Sequence, residues 1–161
     1  MQQITIPLSM LDKARLKAQE MGRLHNSITR GQGNIAGFIG EEVARSVLGG
    51  DENNTYDYDL ITESGMRVDV KTKRTGFEPK DHYECSVAAF NTKQDCDMYA
   101  FVRVHNDLHT AWFLGVYPKK DYFNDAVFLK KGDVDPSNNF KVKADCYNMA
   151  IKDLKSEYER S

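Results

Sequence analysis

The residues best suited to chemistry lie in one stretch, YDYDLITESGMRVDVKTKR, residues 56–74. It alternates in polarity on both sides of ESG, which reads as a β-hairpin. Side chains alternate faces along a strand, so Asp57, Asp59 and Ile61 share one face. Asp69, Lys71 and Lys73 share one face of the next strand. A three-residue loop, Glu63 to Gly65, sets Thr62 opposite Met66, Asp59 opposite Asp69 and Asp57 opposite Lys71. Directly opposed residues have Cβ atoms about 4.5–5.5 Å apart. Two carboxylates that close repel unless a cation lies between them or one takes a proton. A hard divalent cation such as Mg²⁺, which prefers carboxylate oxygen and retains several waters, resolves the repulsion. Lys71 adds a cationic donor on the same face.

A third carboxylate can come from the segment NIAGFIGEEVARSVLGG, residues 34–50. Its spacing predicts a helix capped by Asn34, running to Leu48 and ended by Gly49–Gly50. Ile39, Val43 and Val47 form the buried stripe, with Ala36 and Ala44 beside it. Glu41 falls on the margin of that stripe. Glu42 falls with Arg45 and Ser46 on a face that reads as solvated. Gly37 and Gly40 permit a sheet to approach closely, which would bring Glu41 to the two aspartates.

The other elements follow from periodicity. Ser9 to Met21 reads as a helix with Ser9 as N-cap. Beyond the hairpin strands, Tyr56–Thr62 and Arg67–Lys73, further strands are expected at His82–Ala89, Met98–His105 and Thr110–Tyr117. A helical turn is expected at Asn91–Cys96 and a closing helix at Met149–Tyr158. Helix, helix, a run of strands and a final helix make an α+β plan rather than regular βαβ alternation.

With these positions in view, the chain resembles the PD-(D/E)xK nuclease superfamily, the fold of many restriction enzymes, junction resolvases and phage nucleases. There a helix glutamate, a strand aspartate and an acidic-x-Lys tripeptide form the site. The matching residues are Glu41, Asp59 and Asp69-Val70-Lys71, within a resemblance spanning roughly Ser27 to Val104. Tyr58 stands where the name-giving motif has Pro. Acidic-x-Lys also occurs at Glu78-Pro79-Lys80 and Asp153-Leu154-Lys155, but only the first tripeptide sits in an expected strand. The resemblance implies a single α/β/α sandwich-like domain over residues 1–161, a restriction endonuclease-like mixed sheet with helices on both sides. It implies Mg²⁺-dependent hydrolysis of phosphodiester bonds, most readily as a DNA endonuclease leaving 5′-phosphates, with Mn²⁺ as a substitute. Glu41, Asp59 and Asp69 would hold metal. Lys71 would orient the attacking water or stabilise the transition state. The alternative is a nucleic-acid-binding protein that keeps the fold and does not cleave.

Phosphate contacts are expected from Lys73 and Arg74, which prolong the site strand into the next loop. Ser27 and Arg30, before the Glu41 helix, and Lys93 and Gln94, after the third strand, are further candidates. Charge is uneven: residues 51–100 carry six basic and eleven acidic side chains, whereas the chain as a whole has a net charge of −2. That excludes a globally basic nucleic-acid coat. No apolar run approaches the roughly 18 residues of a membrane span. The N-terminus lacks a secretion-signal layout, and three cysteines do not make a disulfide framework. The expectation is a cytoplasmic protein of a bacterial or phage-infected cell, with DNA as partner, no membrane and a homodimer left open. Gly31-x-Gly33-x-x-Ala36 lacks the preceding strand that a dinucleotide fingerprint requires. His105 and His109 flank a turn without a Cys-x-x-Cys, so zinc is not expected.

Overall fold

The computed structural model describes residues 1–24, 35–53 and 55–157. A six-stranded mixed sheet has the order β1-β7-β6-β4-β3-β2. Its strands are β1 (Gln2–Thr5), β2 (Asp51–Glu52), β3 (Leu60–Ile61), β4 (Arg67–Thr75), β6 (Met98–His105) and β7 (Thr110–Pro118). β4 and β6 run parallel over eight paired residues, and the other pairings are antiparallel. A second, antiparallel sheet has the order β5-β9-β8, from Glu84–Ala88, Cys146–Ala150 and Val127–Leu129.

β6 explains the layering. Its sequence MYAFVRVH has no polar alternation, the mark of a strand buried on both faces. Met98, Ala100, Val102 and Val104 enter one core with Ala14, Ala18, Ile39, Val43 and Ala44 of helices α1 (Leu8–Leu24) and α2 (Ile35–Leu48). Tyr99 and Phe101 enter a second core with Val87, Trp112, Leu114, Tyr122 and Met149. The second sheet and the short helix α3 (Lys119–Asp125) close that side. Tyr122 of α3 is fully buried and donates its hydroxyl to the Tyr147 carbonyl at 2.8 Å.

The protein is therefore α+β, as expected, but the helices do not sandwich the sheet. Both long helices cover one face, and a second sheet covers most of the other. The expected closing helix at Met149–Tyr158 is also corrected. Met149 and Ala150 finish β9, and Ile151–Asp153 form one 3₁₀ turn. All five residues of β9 pair with β5, and Met149 and Ile151 are buried in the second core. That ladder and burial outweigh an apolar spacing compatible with a helix. The expected cap at Ser9 shifts as well: the helix starts at Leu8, and the Pro7 carbonyl accepts from Met10 and Leu11 N–H. No helix among the described residues is long and apolar enough to cross a membrane.

α2 is held close to β4 by Gly40. A Cβ there would lie 1.8 Å from Thr72 Oγ1, so only glycine permits this approach. Gly37 faces open space. Gly49 and Gly50 end the helix with positive φ, as their position predicts.

Candidate functional site

The hairpin turn forms as its sequence predicts. Thr62 N–H donates to Met66 O at 2.9 Å, and Gly65, at φ +85°, donates to Thr62 O. Leu60 pairs with Val68 and Ile61 with Arg67, the register that sets Asp59 beside Asp69. β3 then stops. Residues 55–58 turn away: Thr55 Oγ1 accepts from the N–H groups of Asp57 and Tyr58. Asp57 is therefore not opposite Lys71, a correction to the longer strand expected from the alternation. Its carboxylate accepts from Asp95 N–H at 3.0 Å instead.

Where the ladder ends, the Asp59 side chain replaces it. Asp59 Oδ2 accepts from Val70 N–H at 2.8 Å, a backbone donor on β4 that a longer β3 would have used. Thus anchored, Asp59 lies within hydrogen-bonding reach of Asp69 of β4 and of Glu41 of α2. Glu41 Oε2 is buried without a hydrogen-bond partner. Lys71 completes the group, with Nζ 2.8 Å from Asp69 Oδ2 and 5.6 Å from the centre of the Tyr99 ring. The four residues singled out in the sequence thus meet at the open end of the hairpin.

The electrostatics are those of crowded acids. Glu41 is raised from 4.5 to about 8, first by burial and then by the charge of Asp59. Asp59 is raised from 3.8 to about 6. Burial leads, the Val70 amide opposes it, and the Asp69 charge adds to it. Acids so crowded and desolvated as Glu41 and Asp59 hold protons or attract a cation.

That donor set fits a hard divalent ion. Its atoms are all oxygen, and one is a buried acceptor without a donor. Mg²⁺ commonly uses one or two carboxylates and keeps its waters. No group of three or more His, Cys, Asp or Glu among the described residues stands as a ready-made metal cage. A bound ion would therefore draw on part of the set and on water.

The neighbouring Glu42 corrects the expected solvated face. It is 6% exposed, 2.8 Å from Lys13 of α1 and 2.7 Å from Arg45. The helix pair is thus locked by ion pairs beside the site. Lys17 of α1, which the sequence reading missed, pairs with Glu52, and its charge also reaches Glu41. The signal was available in the i, i+4 spacing of Lys13 and Lys17.

Of the expected phosphate contacts, Lys73 and Arg74 are exposed at the far end of β4, and Lys93 is exposed after β5. Gln94 is instead buried, with its carbonyl accepting from Lys119. Ser27 and Arg30 lie outside the described residues. The cysteines are all buried, and burial pushes the Cys85 and Cys96 thiols up to about 12. These are packed thiols, not nucleophiles.

No protein-family model matches this chain, and no curated protein matches it.

Proposed function

We propose that the chain is a Mg²⁺-dependent nuclease, acting most readily on DNA, with a variant of the restriction endonuclease-like fold in which a second sheet replaces one helical layer. The observation that carries this reading is the convergence of Glu41, Asp59, Asp69 and Lys71 at one strand end. A surface hairpin has no need to hold three acids in contact, two of them with raised pKa values.

In this reading Glu41, Asp59 and Asp69 are the carboxylates from which a metal ion would draw its protein ligands, with water completing its shell, and Mn²⁺ could substitute. The ion would supply positive charge at the scissile phosphate and acidify water. The protein's own part is positional. The Val70 amide fixes Asp59, β4 fixes Asp69, and Gly40 brings Glu41 within reach. Lys71 holds its ammonium beside Asp69, where it can hydrogen-bond the attacking water or a phosphate oxygen as negative charge grows. Metal would also release the protons that Glu41 and Asp59 hold, so binding would strengthen as pH rises through the range near 6–8.

The test is a panel of labelled duplex, junction, flap and single-stranded DNA and RNA, incubated with Mg²⁺, Mn²⁺ or EDTA. Cleavage that needs the metal and is lost in Asp69→Asn supports the reading. Metal-dependent binding without turnover on any substrate would transfer the chain to the non-cleaving class. Full turnover in excess EDTA would remove the mechanism.

A further inference from the structure

A cleft of about 770 Å³ opens between the β4–β6 edge of the central sheet and the second sheet. Lys73 and Arg103 stand on its wall, the exposed ring of Phe140 lines it, and Glu84, Asp135 and Asn148 provide polar groups. A smaller cavity of about 80 Å³ shares Lys73, Glu84, Ser86 and Arg103 with it and is lined by Lys71 as well. The cleft is therefore continuous with the strand that carries the candidate site.

Its charges are arranged for an anion. Arg103 is 6% exposed, yet among the described residues its guanidinium donates only to the Glu84 carbonyl, at 2.9 Å, and lies 5.5 Å from the Tyr83 ring centre. Among the described residues, no carboxylate lies within ion-pair distance of Arg103 or Lys73. The Glu84 and Asp135 carboxylates also line the cleft, but both accept hydrogen bonds from Ser137 and Asn148 rather than pairing with Lys73 or Arg103. Lys73 and Arg103 are paired residues on adjacent parallel strands, so their charges repel. A buried cation such as Arg103 is ordinarily paired, and with the exposed ammonium of Lys73 beside it the cavity favours a phosphate. On the polar side, Asn148 Oδ1 is buried and has no hydrogen-bond partner, an acceptor suited to the N–H donors of a base.

We propose that this cleft takes one nucleotide of a single-stranded nucleic acid, its phosphate between Lys73 and Arg103 and its base against Phe140. The proposal deepens the nuclease reading by placing a nucleotide beside the scissile one, and it rests on that reading for the substrate class. Lys71 and Lys73 are two residues apart on one face, a step of about 6.6–6.8 Å, which one nucleotide of an extended strand can span. Strand-binding proteins commonly join backbone cations to an aromatic platform in this way.

The experiment measures fluorescence anisotropy of a labelled eight-residue oligothymidylate in EDTA, where no cleavage occurs. An abasic strand of equal length, thymidine monophosphate and inorganic phosphate serve as competitors. Wild type is compared with Lys73→Gln, Phe140→Ala and Lys120→Gln, the last an exposed control outside the cleft; thermal melts verify folding. Lys73→Gln should weaken both strands about tenfold, and Phe140→Ala should weaken the thymidylate about tenfold while sparing the abasic strand. Lys120→Gln should bind as wild type. Unchanged binding by both cleft variants would overturn the proposal. So would competition by the mononucleotide or phosphate at concentrations equal to the oligonucleotide, which would mark a free-phosphate site. Lys73-dependent binding in a protein that cleaves nothing would sink the nuclease reading and leave the cleft standing. Cleavage with binding indifferent to Lys73 and Phe140 would do the reverse.

Discussion

Replacing Glu41 by Gln should make the metal-free protein more stable at pH 8. The folded-state carboxyl sits near 8 against 4.5 unperturbed. Because the folded value is the higher one, the folded state binds the proton more tightly. Its contribution is complete below about pH 4.5 and is lost as pH rises towards 8. At about 1.4 kcal/mol per pH unit the ceiling of that loss is about 5 kcal/mol. Glu41 is only part-buried, and solvent screening reduces the expected effect to about 2–3 kcal/mol. For a domain of this size that is roughly 5–10 °C in Tm. Glutamine keeps the shape and carries no charge, so the variant should match wild type at pH 4.5 and exceed it by this margin at pH 8. Asp59, raised to about 6, adds a loss of the same sign in both proteins. Millimolar Mg²⁺ should reverse the order at pH 8, because an ion bound only by the folded state stabilises wild type more. Circular-dichroism melts at both pH values, in EDTA and in Mg²⁺, read all four conditions. A Glu41→Gln protein less stable than wild type at pH 8 in EDTA would refute the crowded-acid account.

Other outcomes follow from the same geometry. Lys71→Ala should fold normally and lose roughly 10²–10³ in turnover; wild-type rates would exclude it from the chemistry. Asp69→Asn should abolish cleavage with apo stability equal or higher, read by urea titration, and a large loss of stability would show that Asp69 holds the fold. Glu42→Ala should cost about 1–3 kcal/mol by leaving Arg45 without its partner and Lys13 with Glu52 alone, while the metal dependence of any activity stays the same. Gly40→Ala should cost about 1–3 kcal/mol or more, since its Cβ would enter Thr72; a neutral result in thermal melts would mean α2 can move away from β4.

The convergence of the candidate site residues was legible in the sequence because they are local and spaced by rule. The Glu63–Gly65 loop fixes the hairpin register, and a period of two then sets Asp59, Asp69 and Lys71. Glu41 needed only the helical period and a glycine for close approach. What the sequence obscured is decided at a distance. Glu42 reads as solvated beside Arg45 and Ser46, because nothing local shows that Lys13, some thirty residues earlier, packs over it. The helical reading of Met149–Tyr158 fails at its start because pairing with Glu84–Ala88, more than sixty residues away, recruits Met149 and Ala150 into a sheet. A hint existed in β6: an apolar run without alternation requires cover on both faces, and the two long helices supply only one.

The Asp59–Val70 contact has a consequence for solubility. From Asp69 to Thr75, β4 has β6 on one side and, among the described residues, no strand on the other. Such an open edge invites pairing with another chain, and proteins commonly defend it with charge. Here a carboxylate occupies the Val70 amide, and Lys73 and Arg74 follow it along the strand. An incoming strand would have to displace the aspartate and bury its charge. The acid that helps form the candidate site therefore also guards the sheet, and Asp59→Ala should show a rise in concentration-dependent light scattering that a catalytic defect alone would not produce.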